Sequence, residues 1–192
     1  MRDAASQAAA DHVSALDDDG DSGTTACIVL ITPTEYVCAN AGDSRAVFAR
    51  RVAATEQTQQ YSQAIALSYD HKPDDEPEER RIRTAGGYVA GGRVEGDLAV
   101  SRGLGDFRFK NLATVLANHC LETFVGDFGP GDQKVSPIPD ILIHNRLAKD
   151  DEFVIVACDG IWDVQSNQDC VQEVAQIYKE GEKDVGLICE EV

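Results

Sequence analysis

Positive charge is scarce in this chain: 17 lysines and arginines stand against 34 aspartates and glutamates, a net charge of −17 over 192 residues. A field of that sign repels phosphodiester backbones and anionic membrane surfaces, which puts nucleic-acid and membrane-surface binding last among the functional classes. Long hydrophobic runs are missing too. The longest, Ala26 to Ile31 and Phe153 to Cys158, are six residues each, against the roughly 20 that a membrane-spanning helix needs. The start, Met1-Arg2-Asp3-Ala4, lacks the basic and then apolar pattern of a secretory signal, so a cytoplasmic location is expected, with the nucleus as second choice.

Cysteine is sparse. The six cysteines, at 27, 38, 120, 158, 170 and 189, include no CxxC pair, which argues against a disulfide scaffold and a zinc ribbon. Most neighbour Val, Ile or Ala and are expected to be reduced thiols packed as small apolar groups. Catalytic signatures of other classes are absent as well. His12, His71, His119 and His144 show no HExxH spacing, no Gly-x-Ser-x-Gly elbow occurs, and Gly103-Leu104-Gly105 lacks the third glycine of a dinucleotide fingerprint. The acidic run Asp17 to Asp21 fails as a calcium loop. Aligned to one, it puts Ser22 where the turn glycine belongs and Ile28 where the bidentate glutamate belongs.

What is there reads as strands joined by hairpins, with helices at the start, middle and end. Ala5, Ala9, Val13 and Leu16 predict an amphipathic helix. Thr24 to Ile31 and Tyr36 to Ala41 predict a hairpin, and a third strand, Arg45 to Phe48, follows a bend at Gly42-Asp43-Ser44. A short strand is expected at Ala64 to Ser68, and a helix from Pro77 to about Ala85, ending at Gly86-Gly87. A second hairpin is expected between Tyr88-Val89 and Leu98 to Val100. Asn111 to Gln133 carries no clear pattern, and Pro137 and Pro139 mark an extended connection. Phe153 to Cys158 predicts a strand buried on both faces. Ser166 and Gly181 bracket a further helix, and a last one starts near Lys183. Hairpins with helices between them, and no βαβ alternation, indicate an α+β class of antiparallel layers flanked by helices.

The candidate chemistry lies in aspartates at strand ends. Asp43 and Asp159 each follow an apolar strand and adjoin a glycine. A strand rim holds a carboxylate firmly, and oxygen-only donors suit Mg²⁺ or Mn²⁺. Taken singly, each reads more readily as a turn aspartate bonding its own backbone.

Seven blocks in order bear on that choice: Ser22 to Ala26, Ala41-Gly42-Asp43-Ser44-Arg45, Asp70-His71-Lys72-Pro73, Glu79 to Ile82 with Ala85-Gly86-Gly87, Leu98 to Asp106, Val135-Ser136-Pro137, and Ala157 to Asp163. Together they resemble the metal-dependent protein serine/threonine phosphatases of the 2C family, over roughly residues 22 to 180. The resemblance implies a β-sandwich of two antiparallel sheets flanked by helices. It also implies hydrolysis of phosphoserine and phosphothreonine in substrate proteins by water activated at Mn²⁺ or Mg²⁺. Asp159 matches a metal-ligand aspartate of the family and Asp43 one linked to a third, weaker site. Asp163 is either a further contributor there or a surface carboxylate leading a helix. The blocks at Asp70 to Pro73 and Ser101 to Asp106 match positions that shape the core and nearby loops, and 107–134 matches a variable flap region.

Departures from the family pattern shape the expectation. No Arg-Gly-x-Arg segment leading to Met-Glu-Asp is present, nor Asp-Gly-His-Gly-Gly, nor a carboxyl-terminal Asp-Asn block. In the family these supply a phosphate-binding arginine, a metal-ligand glutamate, the aspartate bridging both metals, a histidine proposed to protonate the leaving group and a further ligand aspartate. Residues 1–192 are therefore expected to form a single, partial phosphatase domain. The alternative is a noncatalytic relative serving as scaffold or decoy.

Overall fold

A computed structural model of the chain describes residues 22–57, 59–110 and 129–192. The helix expected on Ala5 to Leu16, the Asp17 to Asp21 loop, Cys120 and most of 111–133 lie outside the described residues.

In chain order the elements are β1 (Gly23–Thr24), β2 (Ala26–Ile31), β3 (Glu35–Ala41), β4 (Arg45–Val52), β5 (Tyr61–Ala66), helix α1 (Glu76–Thr84), β6 (Val89–Ala90), β7 (Arg93–Val94), β8 (Leu104–Gly105), β9 (Asp140–Asn145), β10 (Asp151–Ala157), α2 (Asp159–Trp162), α3 (Asn167–Glu180) and α4 (Val185–Glu191). They group into two compact units. One holds 22–24, 72–110 and 129–138; the other, the sandwich unit, holds 25–57, 59–71 and 139–192.

The sandwich unit contains two three-stranded antiparallel sheets, β2-β3-β9 and β10-β4-β5. Period-two alternation on β4 builds its core from both sides. Ala46 and Phe48 point to Tyr36, Cys38 and Leu67, while Val47 and Ala49 point to Trp162, Cys170 and Val171. Phe48 stacks on Tyr36 at a centroid distance of 4.8 Å, and full burial of such a ring contributes about 1.5–3 kcal/mol. Thus β4, not the apolar run at 153–158, is the strand buried on both faces. That run is β10, last in its sheet, with Val156 50% exposed.

The hairpin β2–β3 forms as its sequence predicts. Thr32 Oγ1 accepts from Glu35 N at 2.8 Å and closes the turn. The third strand forms after its predicted bend: at Gly42 the chain crosses into the other sheet, where β4 pairs with β5 and β10. Two strands differ from expectation. Strand β5 runs over Tyr61–Ala66 and not 64–68, because β4 continues to Val52 and pairs with it as far as Tyr61. Strand β9 takes up the stretch read as a plain connection, because Ile141 and Ile143 face outward and hide its alternation. The α3 helix keeps its predicted limits: Ser166 Oγ accepts from Asp169 N at 3.1 Å, and Gly181 ends it at φ 111°.

The other unit packs α1 and the β6–β7 hairpin around Ile82, Val94, Phe109 and Val135. That hairpin is tighter than its sequence predicts. Val89–Ala90 pairs with Arg93–Val94 across Gly91 and Gly92, whose φ values of 60° and 71° are those of a two-residue hairpin turn, and Leu98 keeps only one bridge to Val94. On α1, Glu78 is buried and receives Arg81 at 2.7 Å, Arg102 at 2.7 Å and Ser101 at 2.6 Å. Burial opposes its charge, but Arg102, Ser101 and Arg81 outweigh burial and hold the carboxyl at about 2.

Candidate metal centre at one end of the sandwich unit

Antiparallel register collects the strand-end aspartates. Arg45, first in β4, pairs with Ala157, last in β10. Asp43, two residues before the one, and Asp159, two residues after the other, therefore emerge at the same end of neighbouring strands. Asn40 near the end of β3 pairs with Asp140 at the start of β9, which brings Asp140 to that end as well.

Asp43 sits in the turn from β3 to β4 and is 5% exposed. Three neighbours hold this turn. Asn40 Nδ2 donates to Gly42 O at 3.1 Å and to Tyr69 O at 2.9 Å. His71 Nδ1 accepts from Gly42 N at 3.1 Å, and His71 N donates to Gly42 O at 3.0 Å. Thr25 and Ser44 share a hydroxyl hydrogen bond of 2.7 Å. Gly42 itself has φ 123°, and a Cβ there would lie 2.3 Å from the Thr25 methyl, so glycine is required twice over.

Arg45 ties this turn to the helices. Its guanidinium forms a two-pronged pair with Asp70 at 2.8 Å on each prong, donates to Asn167 at 2.7 Å and lies 5.2 Å over the Trp162 ring. The Asp70 hydrogen bonds raise its pKa, burial opposes this, and the charges of Asp70 and Asp163 add to the rise. Asp163 is thereby in electrostatic reach of Arg45.

Asp159 opens the short helix α2 and Asp163 follows its end; both are exposed, and Asp163 N donates to Asp159 O at 2.8 Å. Trp162 anchors α2 through Nε1 to Ala157 O at 2.8 Å. The three aspartates read from the sequence thus differ in setting, one buried in a pinned turn and two at the surface. As donors they fit a hard dication, which one or two carboxylates and water commonly hold. They do not close a cage: among the described residues, no group of three or more His, Cys, Asp or Glu is arranged to hold a metal ion. Asp140 and the pinning role of His71 escape a reading by local pattern. Asp140 joins this end only through strand pairing, and the signal for His71 was its place beside Asp70.

A family model described as protein phosphatase 2C matches residues 1–192. A probable protein phosphatase 2C from Caenorhabditis elegans is 44% identical over 171 residues, 89% of this chain and 41% of that protein. A protein phosphatase 2C homolog from Hypocrea jecorina is 41% identical over 169 residues, 88% of this chain and 33% of that protein. The chain thus spans 41% or less of the length of these two relatives. Among solved structures, a phosphatase from a pathogenic strain of Toxoplasma gondii superposes with a TM-score of 0.60 at 27% identity, covering 82% of this chain and 41% of that one. A serine-threonine phosphatase 2C from Toxoplasma gondii, at 20% identity, shares the fold with a TM-score of 0.65 over 97% of this chain and 57% of that one. Because the family match runs through both compact units and these solved structures repeat the fold, the chain belongs to the protein phosphatase 2C family.

Proposed function

We propose that this chain is part of a Mn²⁺- or Mg²⁺-dependent protein phosphatase domain that hydrolyses phosphoserine and phosphothreonine in cytoplasmic or nuclear proteins. The observation that carries the reading is the β4–β10 register, which brings Asp43 and Asp159 to one end of a sandwich whose family is that of the 2C phosphatases. Asp159, Asp43 and Asp163 are the residues that would hold the metal. When bound, such ions lower the pKa of a coordinated water and offset charge on the phosphate. Asp159 is exposed at the first position of α2, where ligand and solvent have access. His71 and Asn40 hold the Asp43 turn in place, and Arg45 holds that turn to α3 through Asn167.

A second reading, a noncatalytic scaffold or decoy, draws on the lack of a three-ligand group among the described residues. The two separate in one experiment: hydrolysis of a phosphothreonine peptide by the purified chain with Mn²⁺, beside Asp159→Asn, with Mn²⁺ binding followed by calorimetry. Metal-dependent turnover that Asp159→Asn abolishes supports the enzyme. Folded protein that neither binds Mn²⁺ nor turns over supports the scaffold.

A further inference from the structure

Five cysteines are described, and two of them face each other. Cys27 on β2 and Cys38 on β3 are diagonal neighbours, since Cys27 registers with Asn40 and Cys38 with Val29. Both side chains turn into the layer between the sheets, where their sulfurs lie 4.0 Å apart. Cys38 is 1% exposed and Cys27 half-buried, so a small oxidant arriving from solvent meets Cys27 first.

We propose that Cys27 and Cys38 form a thiol pair that hydrogen peroxide oxidises to an intrachain disulfide, stapling β2 to β3. The electrostatics divide the roles. A hydrogen bond from Cys38 to the Cys27 sulfur lowers the Cys27 pKa to about 7, against the opposing effect of burial. Cys38 is pushed up by its interaction with Cys27 and by burial. Cys27 is thus the more readily ionised of the two and the one that attacks as thiolate, and Cys38 is the thiol that resolves it.

The chemistry balances in two displacements. The Cys27 thiolate attacks one peroxide oxygen, the O–O bond breaks, and Cys27 becomes a sulfenic acid as hydroxide leaves and is protonated to water. The Cys38 sulfur then attacks the Cys27 sulfur; the S–S bond forms, the S–O bond breaks, and hydroxide departs with the Cys38 proton as a second water. Two thiols lose two electrons and one peroxide gains them. Closure brings the sulfurs from 4.0 Å to the ~2.05 Å of a disulfide, which requires both side chains to rotate and the two strands to draw together, since diagonal cross-strand neighbours stand about 7–8 Å apart. The staple acts on the strand pair from which the Asp43 turn hangs, two residues from Thr25, whose methyl packs against Gly42.

The test is peroxide titration of the 192-residue protein, alkylation of remaining thiols, and peptide mapping by mass spectrometry after cleavage at Glu35, which separates the two cysteines. The expected result is a linked Cys27–Cys38 peptide as the first oxidised product, reversed by dithiothreitol. Cys27→Ser is expected to abolish it, and Cys38→Ser to leave a sulfenic acid at Cys27 that dimedone traps. Full alkylation of Cys27 and Cys38 while the exposed Cys158 or Cys189 oxidises would overturn the proposal, as would Cys27 linked to Cys120. The mapping on unsubstituted protein decides the matter even if a variant fails to fold.

Discussion

His71 and Gly42 are joined twice: the imidazole Nδ1 accepts the Gly42 N–H at 3.1 Å, and the His71 N–H donates to the Gly42 carbonyl at 3.0 Å. Because Nδ1 accepts, the ring proton belongs on Nε2, which faces Asp140 Oδ2 at 3.2 Å. The turn that carries Asp43 therefore hangs from a histidine 29 residues away in sequence.

Removing that anchor has a graded outcome. His71→Ala leaves a buried Gly42 N–H without its acceptor and is expected to cost about 1–3 kcal/mol. His71→Asn, whose side-chain oxygen can stand in for Nδ1, is expected to recover part of this. Urea unfolding measures the stabilities. A Mn²⁺ titration is expected to place the affinities in the order wild type, His71→Asn, His71→Ala.

Gly42→Ala is expected to destabilise by about 1–3 kcal/mol from the left-handed backbone alone, with the Thr25 methyl adding to it. Thr25→Ser removes that methyl and keeps the hydroxyl. A double-mutant cycle is expected to show positive coupling, the second change lowering the cost of the first without abolishing it, as neighbours in contact require. Additive costs would mean that Thr25 yields without resistance.

Glu78 makes an acid-sensitive joint in the other unit. Its carboxyl is lowered from 4.5 to about 2 in the folded chain. The unfolded state therefore takes up the proton first, so this contribution is complete above pH 4.5 and is lost as pH falls from 4.5 toward 2. Glu78→Gln removes the buried carboxylate that Arg81 and Arg102 share and is expected to cost about 3 kcal/mol near neutrality. Its stability is expected to fall less steeply than wild type over that acid range. Urea midpoints at a series of pH values would check both statements.

Asp159→Asn and Asp43→Asn are expected to separate function from stability. Asp159 is exposed, so its amide variant is expected to change unfolding stability by within about 0.5 kcal/mol while Mn²⁺ binding falls. Asp43 is 5% exposed in a hydrogen-bonded turn, and its amide variant is expected to lower both. Calorimetric titration together with urea unfolding distinguishes the two patterns. Equal loss of stability in both variants would contradict the assigned settings.

Local signals account well for the elements whose stabilising contacts lie close in sequence. Ser166 and Gly181 mark the ends of α3 because a cap acts within one turn. Thr32 marks the β2–β3 turn for the same reason. The misread strands share a different cause. Tyr61 and Gln63 in β5, and Ile141 and Ile143 in β9, are exposed, so neither segment shows polar-out alternation with an apolar inner face. Each is a strand because a neighbour pairs with it, Arg51 with Ser62 in one case and Ala39 with Ile141 in the other. The Gly91–Gly92 turn reads as a hairpin signal, but the glycines at 91, 92 and 96 offer more than one turn, so the sequence points to Leu98 to Val100 as the partner strand where the fold uses Arg93–Val94.

The same division runs through the candidate site. Acidic charge, aspartates beside glycines at strand ends and the ordered family blocks are properties of residue type and spacing; they suffice to identify the family, and they make Asp43, Asp159 and Asp163 the candidates. Nothing local says that Asp43 is buried under His71 while Asp159 is open, or that Asp140 joins their end of the sandwich. Those facts follow from the β3–β4 crossing at Gly42 and from the Arg45–Ala157 register. Strand pairing joins residues far apart in sequence through backbone hydrogen bonds that are chemically alike for every residue, so it leaves no mark in the side chains it brings together. Only the folded chain decides it.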